Sequence, residues 1–205
     1  VERYIKWLYE LRLKLIEEQN PESVLIIATT SEGYSLKRVL RHTYNLVNLI
    51  WNLDRQSHEK LASQLNPPSK EAIEKTWRLT GGNPRRLIEI AHTYRWNVDR
   101  WFLELKQNLG DLANELKAKN LAEETIKLAE DPDVLARKPT AKLRKAYETL
   151  LEQNLMIYVG SPPLSSWTME KQKTQPAPRL GIGKHYAWQI PAYKHALKNL
   201  LTQQT

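Results

Sequence analysis

The chain has 205 residues, 41% of them hydrophobic, which is too apolar a composition for an intrinsically disordered protein. It contains no cysteine, so a disulfide-stabilised scaffold is excluded. No apolar run approaches the roughly 20 residues of a membrane-spanning helix. We therefore expect a soluble, cytoplasmic protein with no membrane partner.

The positive charge is concentrated at one end of the chain. The net charge is +8, yet residues 1–134 contain 20 Lys+Arg and 20 Asp+Glu, whereas residues 135–205 contain 11 and 3. A block of positive charge confined to one module is typical of proteins that bind phosphate backbones.

The first 66 residues predict helices alternating with strands. Apolar residues at helical spacing predict a helix over 2–19, and because Val1 already lies at its start we expect the sequence to be cut from a longer one. The run 23–30 predicts a strand buried on both faces, and 46–53 a second strand. The remaining predicted helices cover 35–42 and 57–65, the latter with Ser57 as N-cap.

A small helical bundle is predicted over residues 67–109. Ser69 follows Asn-Pro-Pro and caps a helix over 70–79. The sequence Thr-Gly-Gly-Asn-Pro then interrupts the pattern, and a helix starts near Pro84, since proline is favoured in a first turn. A third helix, over 97–109, is rich in tryptophan, which we expect to fill the bundle core.

The last module combines helices with a hairpin. Helices are predicted over 111–119, 121–130 and 139–153, and strands over 155–159 and 186–190. A Pro/Ser/Lys-rich stretch joins the strands, and Pro191 starts a final helix. Three helices, a hairpin with a long polar tip and a closing helix form the layout of a winged helix.

Three segments together resemble archaeal AAA+ ATPases. Val24–Ser31 is similar to the sensor-1 strand of that family, the Arg41 segment to its arginine-finger region, and Trp77–Arg86 to its sensor-2 region. Gly81-Gly82-Asn83-Pro84-Arg85 is the most specific part. The resemblance implies a mainly α fold with some β structure: the end of an α/β P-loop ATPase core (1–66), a helical lid (67–109) and a winged-helix domain (110–205).

The family's phosphate loop and magnesium-binding acidic strand are absent from this sequence. Gly181–His185 is the only glycine-lysine cluster, and it lacks the spacer and the Ser/Thr of a phosphate loop. The resemblance implies ATP and Mg²⁺ as cofactors of an intact parent, with both motifs upstream of Val1. Alone, the chain should bind no nucleotide tightly and hydrolyse no ATP.

The resemblance suggests two catalytic residues. Thr30, with Thr29 and Ser31 beside it, would orient the attacking water as sensor 1; alternatively these residues only end a strand and begin a turn. Arg41, with Arg38 as competitor, would act across a subunit interface on the transferring phosphoryl group, or is a solvated charge. An arginine finger would imply neighbouring subunits as partners.

Arg85 and Asn83 are the candidate nucleotide-binding residues. Arg85 begins a helix directly after the Gly-Gly-Asn-Pro break, so its guanidinium and nearby backbone N–H groups could face a phosphate. The resemblance implies that Arg85 is the sensor-2 arginine, with Arg86 as the alternative. Without a ligand, the motif would be a helix start with two exposed arginines.

Double-stranded DNA is the expected partner of the basic module. In a winged helix the third helix enters the major groove while the wing touches the backbone. The candidate DNA-binding residues lie around helix 139–153 and in the expected wing: Lys138, Lys142, Arg144, Lys145, Lys171, Lys173 and Lys184, with Arg179 and His185 beside them. Leu143, Tyr147, Leu150 and Leu151 should form core. Winged helices also dock proteins, so this alternative stays open.

Two functions are therefore compared. In the first, ATP binding and hydrolysis are coupled through Arg85 and the lid to a basic winged helix. In the second, the chain is a stand-alone DNA-binding or docking module without ATPase activity. An enzyme contained wholly within these residues finds no supporting arrangement, since no metal-ligand spacing and no cysteine nucleophile is present.

Overall fold

The computed structural model describes residues 2–29, 49–160 and 175–203. The chain divides into two compact units, Val1–Asn48 with Pro163–Trp167, and Leu49–Pro162 with Thr168–Thr205. In the described residues the structure is mainly helical, with one two-stranded sheet. This agrees with the predicted mainly α composition.

Helix α1 (Glu2–Gln19) is the described helix of the first unit. Its half-buried positions recur at the predicted spacing: Ile5, Leu8, Leu11 and Leu15. Lys6 and Lys14 form ion pairs with Glu10 and Glu18, one helical turn further on. The predicted helix over 2–19 is confirmed.

The strand predicted over 23–30 is wrong for the described residues 23–29. They form neither helix nor strand, and Leu25 and Ile27 are 84% and 76% exposed. A strand needs a neighbour for its backbone hydrogen bonds, and among the described residues none pairs with this segment. Apolarity alone therefore did not make the segment a strand.

Four helices follow in the second unit: α2 (Arg55–Gln64), α3 (Lys70–Thr80), α4 (Pro84–His92) and α5 (Val98–Asn108). Ser69 caps α3 as predicted, with its hydroxyl accepting from the Ala72 N–H. The carboxylate of Asp54, not Ser57, caps α2: it accepts from the Ser57 N–H at 2.7 Å. The strand predicted over 46–53 is also wrong for residues 49–53, which form no strand.

Helices α6 (Gly110–Ala118), α7 (Ala122–Glu130), α8 (Val134–Arg137) and α9 (Ala141–Glu152) follow in order. The short helix α8 had no counterpart among the predicted elements. Thr140 caps α9 through a hydrogen bond from the Leu143 N–H. The four α9 residues predicted to be core are buried: Leu143, Tyr147, Leu150 and Leu151.

Strands β1 (Met156–Tyr158) and β2 (Tyr186–Trp188) pair antiparallel, with Met156 opposite Trp188 and Tyr158 opposite Tyr186. A 3₁₀ turn, Pro178–Leu180, precedes β2, and isolated bridges join Ile182 to Ala177 and Ala187. The predicted hairpin is present in this part of the chain.

Helix α10 (Pro191–Thr202) joins the earlier helices of the second unit to the later ones, because it packs on α3 and α5 as well as on α6 and α7. Ile190 and Ala192 join one buried cluster with Ile90, Val98 and Trp101. Further along, Ala196, Leu197 and Leu201 enter the larger core formed by α6, α7, α9 and the hairpin. One closing helix therefore contributes to both cores.

Three tryptophans of the second unit pack inside it or donate to its backbone. Trp101 and Trp188 are fully buried, and the Trp188 indole donates to the Leu128 carbonyl at 3.0 Å. Trp96 is half-buried and donates to the Leu65 carbonyl. None of the described helices is long and apolar enough to cross a bilayer.

Candidate functional site

The turn between α3 and α4 is fixed by two glycines. Gly81 and Gly82 have φ angles of +58° and +83°, in the left-handed region that favours glycine. The Gly82 carbonyl accepts from the Leu53 N–H at 3.0 Å, and a Cβ on Gly82 would lie 2.0 Å from the Leu53 carbonyl oxygen. A Cβ on Gly81 would meet the Pro191 ring at 2.8 Å. The turn therefore packs directly against the segment before α2 and the start of α10.

Asn83 holds this turn through both ends of its side-chain amide. Its Oδ1 accepts from the Arg86 N–H at 3.1 Å and so caps α4, while its Nδ2 donates to Asn52 Oδ1 at 3.1 Å. Asn83 is a structural cap with its amide hydrogen-bonded at both ends, and Arg85 is the member of the predicted pair whose side chain has no described partner.

A chain of amides continues from Asn52 to the base of the hairpin. Asn52 Nδ2 donates to the Gln189 carbonyl at 2.8 Å, and Gln189 Nε2 donates to Asn154 Oδ1 at 2.6 Å. The Gln189 N–H also donates to the Leu155 carbonyl. Since Gln189 follows β2 and Asn154 precedes β1, the amide chain joins the turn beside Arg85 to both roots of the hairpin.

The two adjacent arginines of the turn have opposite surroundings. Arg86 is half-buried; its guanidinium donates to Glu89 at 2.6 Å and to the Tyr193 hydroxyl at 3.2 Å. Burial acts to lower the pKa of Arg86, but these partners together raise it above its ordinary value. Arg85 is exposed, and no described residue pairs with its guanidinium or accepts from its backbone N–H. Of the two, Arg85 is the one available to a ligand.

The predicted basic residues of the last module lie at the surface. Lys138, Lys142, Arg144 and Lys145 are exposed, on α9 or just before it, while the opposite face of α9 is buried. No carboxylate of the described residues lies within ion-pair distance of these four cations. Within the described residues their positive charge is therefore not neutralised by an ion pair.

Two of these lysines line a depression of about 400 Å³ in front of α9. Lys142 and Lys145 face it from α9, with Ala141 between the helix cap and Lys142. Lys119 and Leu121 line the side formed by the junction of α6 and α7. Lys119 is paired with Glu115 at the surface, an interaction of small net energy. Three lysines therefore line one depression beside the first turns of α9.

Lys184 lies at the start of the returning strand, where Asp133 fixes the backbone. The Asp133 carboxylate accepts from three consecutive N–H groups, those of Lys184, His185 and Tyr186, at 2.5, 2.9 and 3.0 Å. The Lys184 side chain is exposed. Within the Gly-Lys cluster, the N–H groups of Lys184 and His185 therefore already donate to a carboxylate.

Several predicted residues lie outside the described residues. These are Thr30 and Arg41 of the predicted catalytic pair, and Lys171 and Lys173 of the expected wing. Thr29, the neighbour of Thr30, is exposed in the irregular segment that replaces the predicted strand. The roles assigned to these residues remain predictions.

Sequence patterns did not identify Lys119 or Asp133 as part of these sites. Lys119 precedes α9 by 22 positions, and Asp133 is separated from Lys184 by 51. No local spacing signals such contacts, since the tertiary packing of α6, α8 and the hairpin creates them. The sequence Asp-Pro-Asp at 131–133 predicts a turn, but it does not predict which residues contact that turn.

Residues 1–90 match the family model of an ATPase domain found predominantly in Archaea. No curated protein and no solved structure matched the chain. The matched segment includes the Gly-Gly-Asn-Pro turn and Arg85, and it ends within α4. This match supports an archaeal ATPase family for that part of the chain.

Proposed function

We propose that this chain carries the nucleotide-sensing turn and the DNA-binding module of an archaeal AAA+ ATPase. In this scheme residues 1–66 belong to the α/β core, 67–109 form the lid, and 110–205 form a basic winged helix that binds double-stranded DNA. The observation that carries the DNA part is the set of exposed cations on α9 and the hairpin that have no carboxylate partner among the described residues.

The arrangement of these cations suits a DNA backbone. Lys142 and Lys145 lie three positions apart on α9, so they occupy one side of the helix, and Lys138 precedes its cap. Lys184 extends from the hairpin. A helix and a hairpin that both carry unneutralised charge can contact phosphates at two places on a duplex, which fixes its orientation without selecting its sequence.

Arg85 supports the nucleotide-sensing part. Its exposed guanidinium and free backbone N–H, at the start of α4, can donate to one phosphate group. ATP with Mg²⁺, when bound in the intact ATPase, would supply the phosphoryl group whose hydrolysis drives the cycle. Within this chain Arg85 would only sense that phosphate, since the sequence lacks a phosphate loop.

The amide chain offers a route by which the turn could act on the hairpin. Asn83, Asn52 and Gln189 connect the residue preceding Pro84 to the roots of β1 and β2. Arg86 additionally contacts Tyr193 in α10. A shift of the turn on phosphate binding would be transmitted through these direct hydrogen bonds to the basic module.

A titration with fluorescent duplex DNA tests this proposal. The wild-type chain, the K142A/K145A variant and the K60A/K70A variant are compared over a range of salt concentrations. Lys60 and Lys70 are exposed, and no described carboxylate forms an ion pair with either, so the control removes the same charge elsewhere. We expect K142A/K145A to bind about tenfold or more weakly and to lower the salt slope by about 0.9 per lost phosphate contact.

Equal affinities for the two variants would contradict the DNA assignment, because net charge would then explain binding. Absence of binding at low salt would favour the protein-docking alternative. The titration is repeated with ATP and Mg²⁺, which we expect to change nothing in this chain alone. An ATP-dependent affinity, or measurable ATP hydrolysis, would show that more of the nucleotide site is present than we propose.

A further inference from the structure

A cluster of three tyrosines lies where α9 meets the hairpin. Tyr147 and Tyr186 pack edge to face with ring centroids 4.7 Å apart, and Tyr186 packs against Tyr158 at 5.3 Å. Tyr158 and Tyr186 are directly opposite each other in the strand register. Tyr147 is buried, Tyr186 half-buried and Tyr158 exposed, so the cluster runs from the core to the surface.

The hydroxyl groups of this cluster have no hydrogen-bond partner among the described residues. Buried or partly buried tyrosines usually use their hydroxyl, as Tyr94 and Tyr193 do with Glu104 and Arg86. The hydroxyls of Tyr158 and Tyr186, on the exposed side of the cluster, are therefore donors available to an external acceptor.

Arg144 lies one helical turn before Tyr147 on α9 and is exposed. No described carboxylate forms an ion pair with it. Burial raises the pKa of Tyr147, and burial also raises the pKa of Tyr186, on which the nearby charge of Arg144 acts in the lowering direction. Both phenols therefore keep their protons at physiological pH and remain donors.

We propose that Arg144 and the hydroxyls of Tyr158 and Tyr186 bind one phosphodiester group of the nucleic-acid backbone, with Tyr147 as a positioning residue behind Tyr186. The guanidinium supplies charge and a planar pair of donors, and the phenol hydroxyls supply direction. Lys142 and Lys145 on the same helix, and Lys184 before β2, would contact neighbouring phosphates. This inference rests on the proposed DNA-binding function and names a contact within it.

Tyrosine-to-phenylalanine variants test the hydroxyls without disturbing the aromatic packing. We expect Y158F and Y186F each to weaken duplex binding about tenfold, the effect of one lost hydrogen bond to an anionic acceptor. Because no charge is removed, the slope of affinity against salt should stay that of the wild type. R144A should weaken binding and also lower the slope by about 0.9. Y94F, whose hydroxyl faces Glu104 instead, is the matched control and should bind as wild type.

Melting temperatures of all variants are measured so that a structural effect is recognised. Wild-type affinity of Y158F and Y186F, while K142A/K145A binds weakly, would overturn this inference and leave the proposed function standing. A change of salt slope in the phenylalanine variants would also overturn it, since the hydroxyls would then act through charge or folding.

A second arm uses inorganic phosphate and follows the tyrosine ring signals by NMR. We expect saturable shifts at Tyr158 and Tyr186 that disappear in R144A, and no comparable shift with chloride. If the wild-type chain binds no DNA, the proposed function fails. If the tyrosine signals nevertheless shift with phosphate, the cluster binds a phosphate of another source, and the phosphodiester inference is overturned. If neither phosphate nor DNA shifts the ring signals of Tyr158 and Tyr186, the site itself is overturned.

Discussion

The cations of the helices between Arg55 and Asn108 differ from those of α9 and the hairpin in what surrounds them. In the first region five cations are held by carboxylates: Arg55, Lys75, Arg78, Arg86 and Arg100. In the second region none of the described carboxylates pairs with Lys142, Arg144 or Lys145. The first region also has cations without a described carboxylate partner, Lys60, Lys70 and Arg85, but these lie on three different helices, whereas those of the second region lie together on α9. The location of a charge in the sequence therefore predicts a binding surface less well than whether the fold already pairs that charge.

The turn in the first region gives the largest predicted effect on stability. G82A places a Cβ against the Leu53 carbonyl oxygen at a φ of +83°, so we expect a loss of about 3 kcal/mol or more. G110A is the control, because a Cβ on Gly110 meets nothing within 4 Å, and helix propensity should then stabilise the chain by about 0.5 kcal/mol. Urea unfolding measures both. Equal midpoints for the two variants would show that the turn is not locked as described.

The two adjacent arginines provide the sharpest comparison of paired and unpaired charge. R86M removes the guanidinium that donates to Glu89 and to the Tyr193 hydroxyl. We expect this variant to have a free energy of unfolding about 2 kcal/mol lower than the wild type. R85M removes an exposed side chain without described partners, so its effect should stay within about 0.5 kcal/mol. A destabilisation of similar size in both variants would contradict the assignment of Arg85 as the available arginine.

His58 makes the stability of the first region depend on pH, and this effect is small at neutral pH. The fully buried His58 Nε2 lies 3.3 Å from Thr76 Oγ1, whose own proton goes to the Ile73 carbonyl, and no described residue forms a hydrogen bond with Nδ1. Burial lowers the pKa of His58 below 6.5. Below pH 6.5 the unfolded chain binds a proton that the folded chain does not, so stability is lost as pH falls toward the folded pKa.

The H58Q variant tests this dependence, since the amide keeps a donor for Thr76 and does not titrate. Unfolding free energies are measured between about pH 7.5 and pH 5.5 for both chains, a range of about one unit either side of the ordinary pKa. We expect the wild type to lose more stability than H58Q on acidification. Parallel curves for the two chains would show that His58 is not held neutral.

The sequence predicted the helices well because their signals are local. Ser69 and Pro84 mark helix starts in the sequence and in the structure, and the buried face of α9 follows its apolar spacing. The strand prediction at 23–29 failed because apolarity specifies burial only when a partner strand is present to pair with. The order of helices, hairpin and closing helix agreed with the prediction, whereas the winged-helix assignment remains a proposal.

The candidate sites were predictable only in part. Composition and motif suggested Arg85 and the lysines of α9, because both signals lie within a few residues, and their binding roles stay predictions. The Asp133 contact with the start of β2 and the amide chain from Asn83 to Gln189 join residues far apart in sequence. The tyrosine cluster depends on strand register, since a shift of one residue would turn Tyr158 to the other face.

Chemical-shift mapping with a short DNA duplex tests the difference between the two regions most directly. Labelled protein is titrated with duplex at low salt, and every backbone amide signal is followed. We predict that the shifts concentrate at residues 138–145 and 184–186, with none across α2 to α5. Shifts concentrated on the paired cations of α2 to α5, or no shifts anywhere, would contradict the claim that the unpaired cations form the DNA-binding surface.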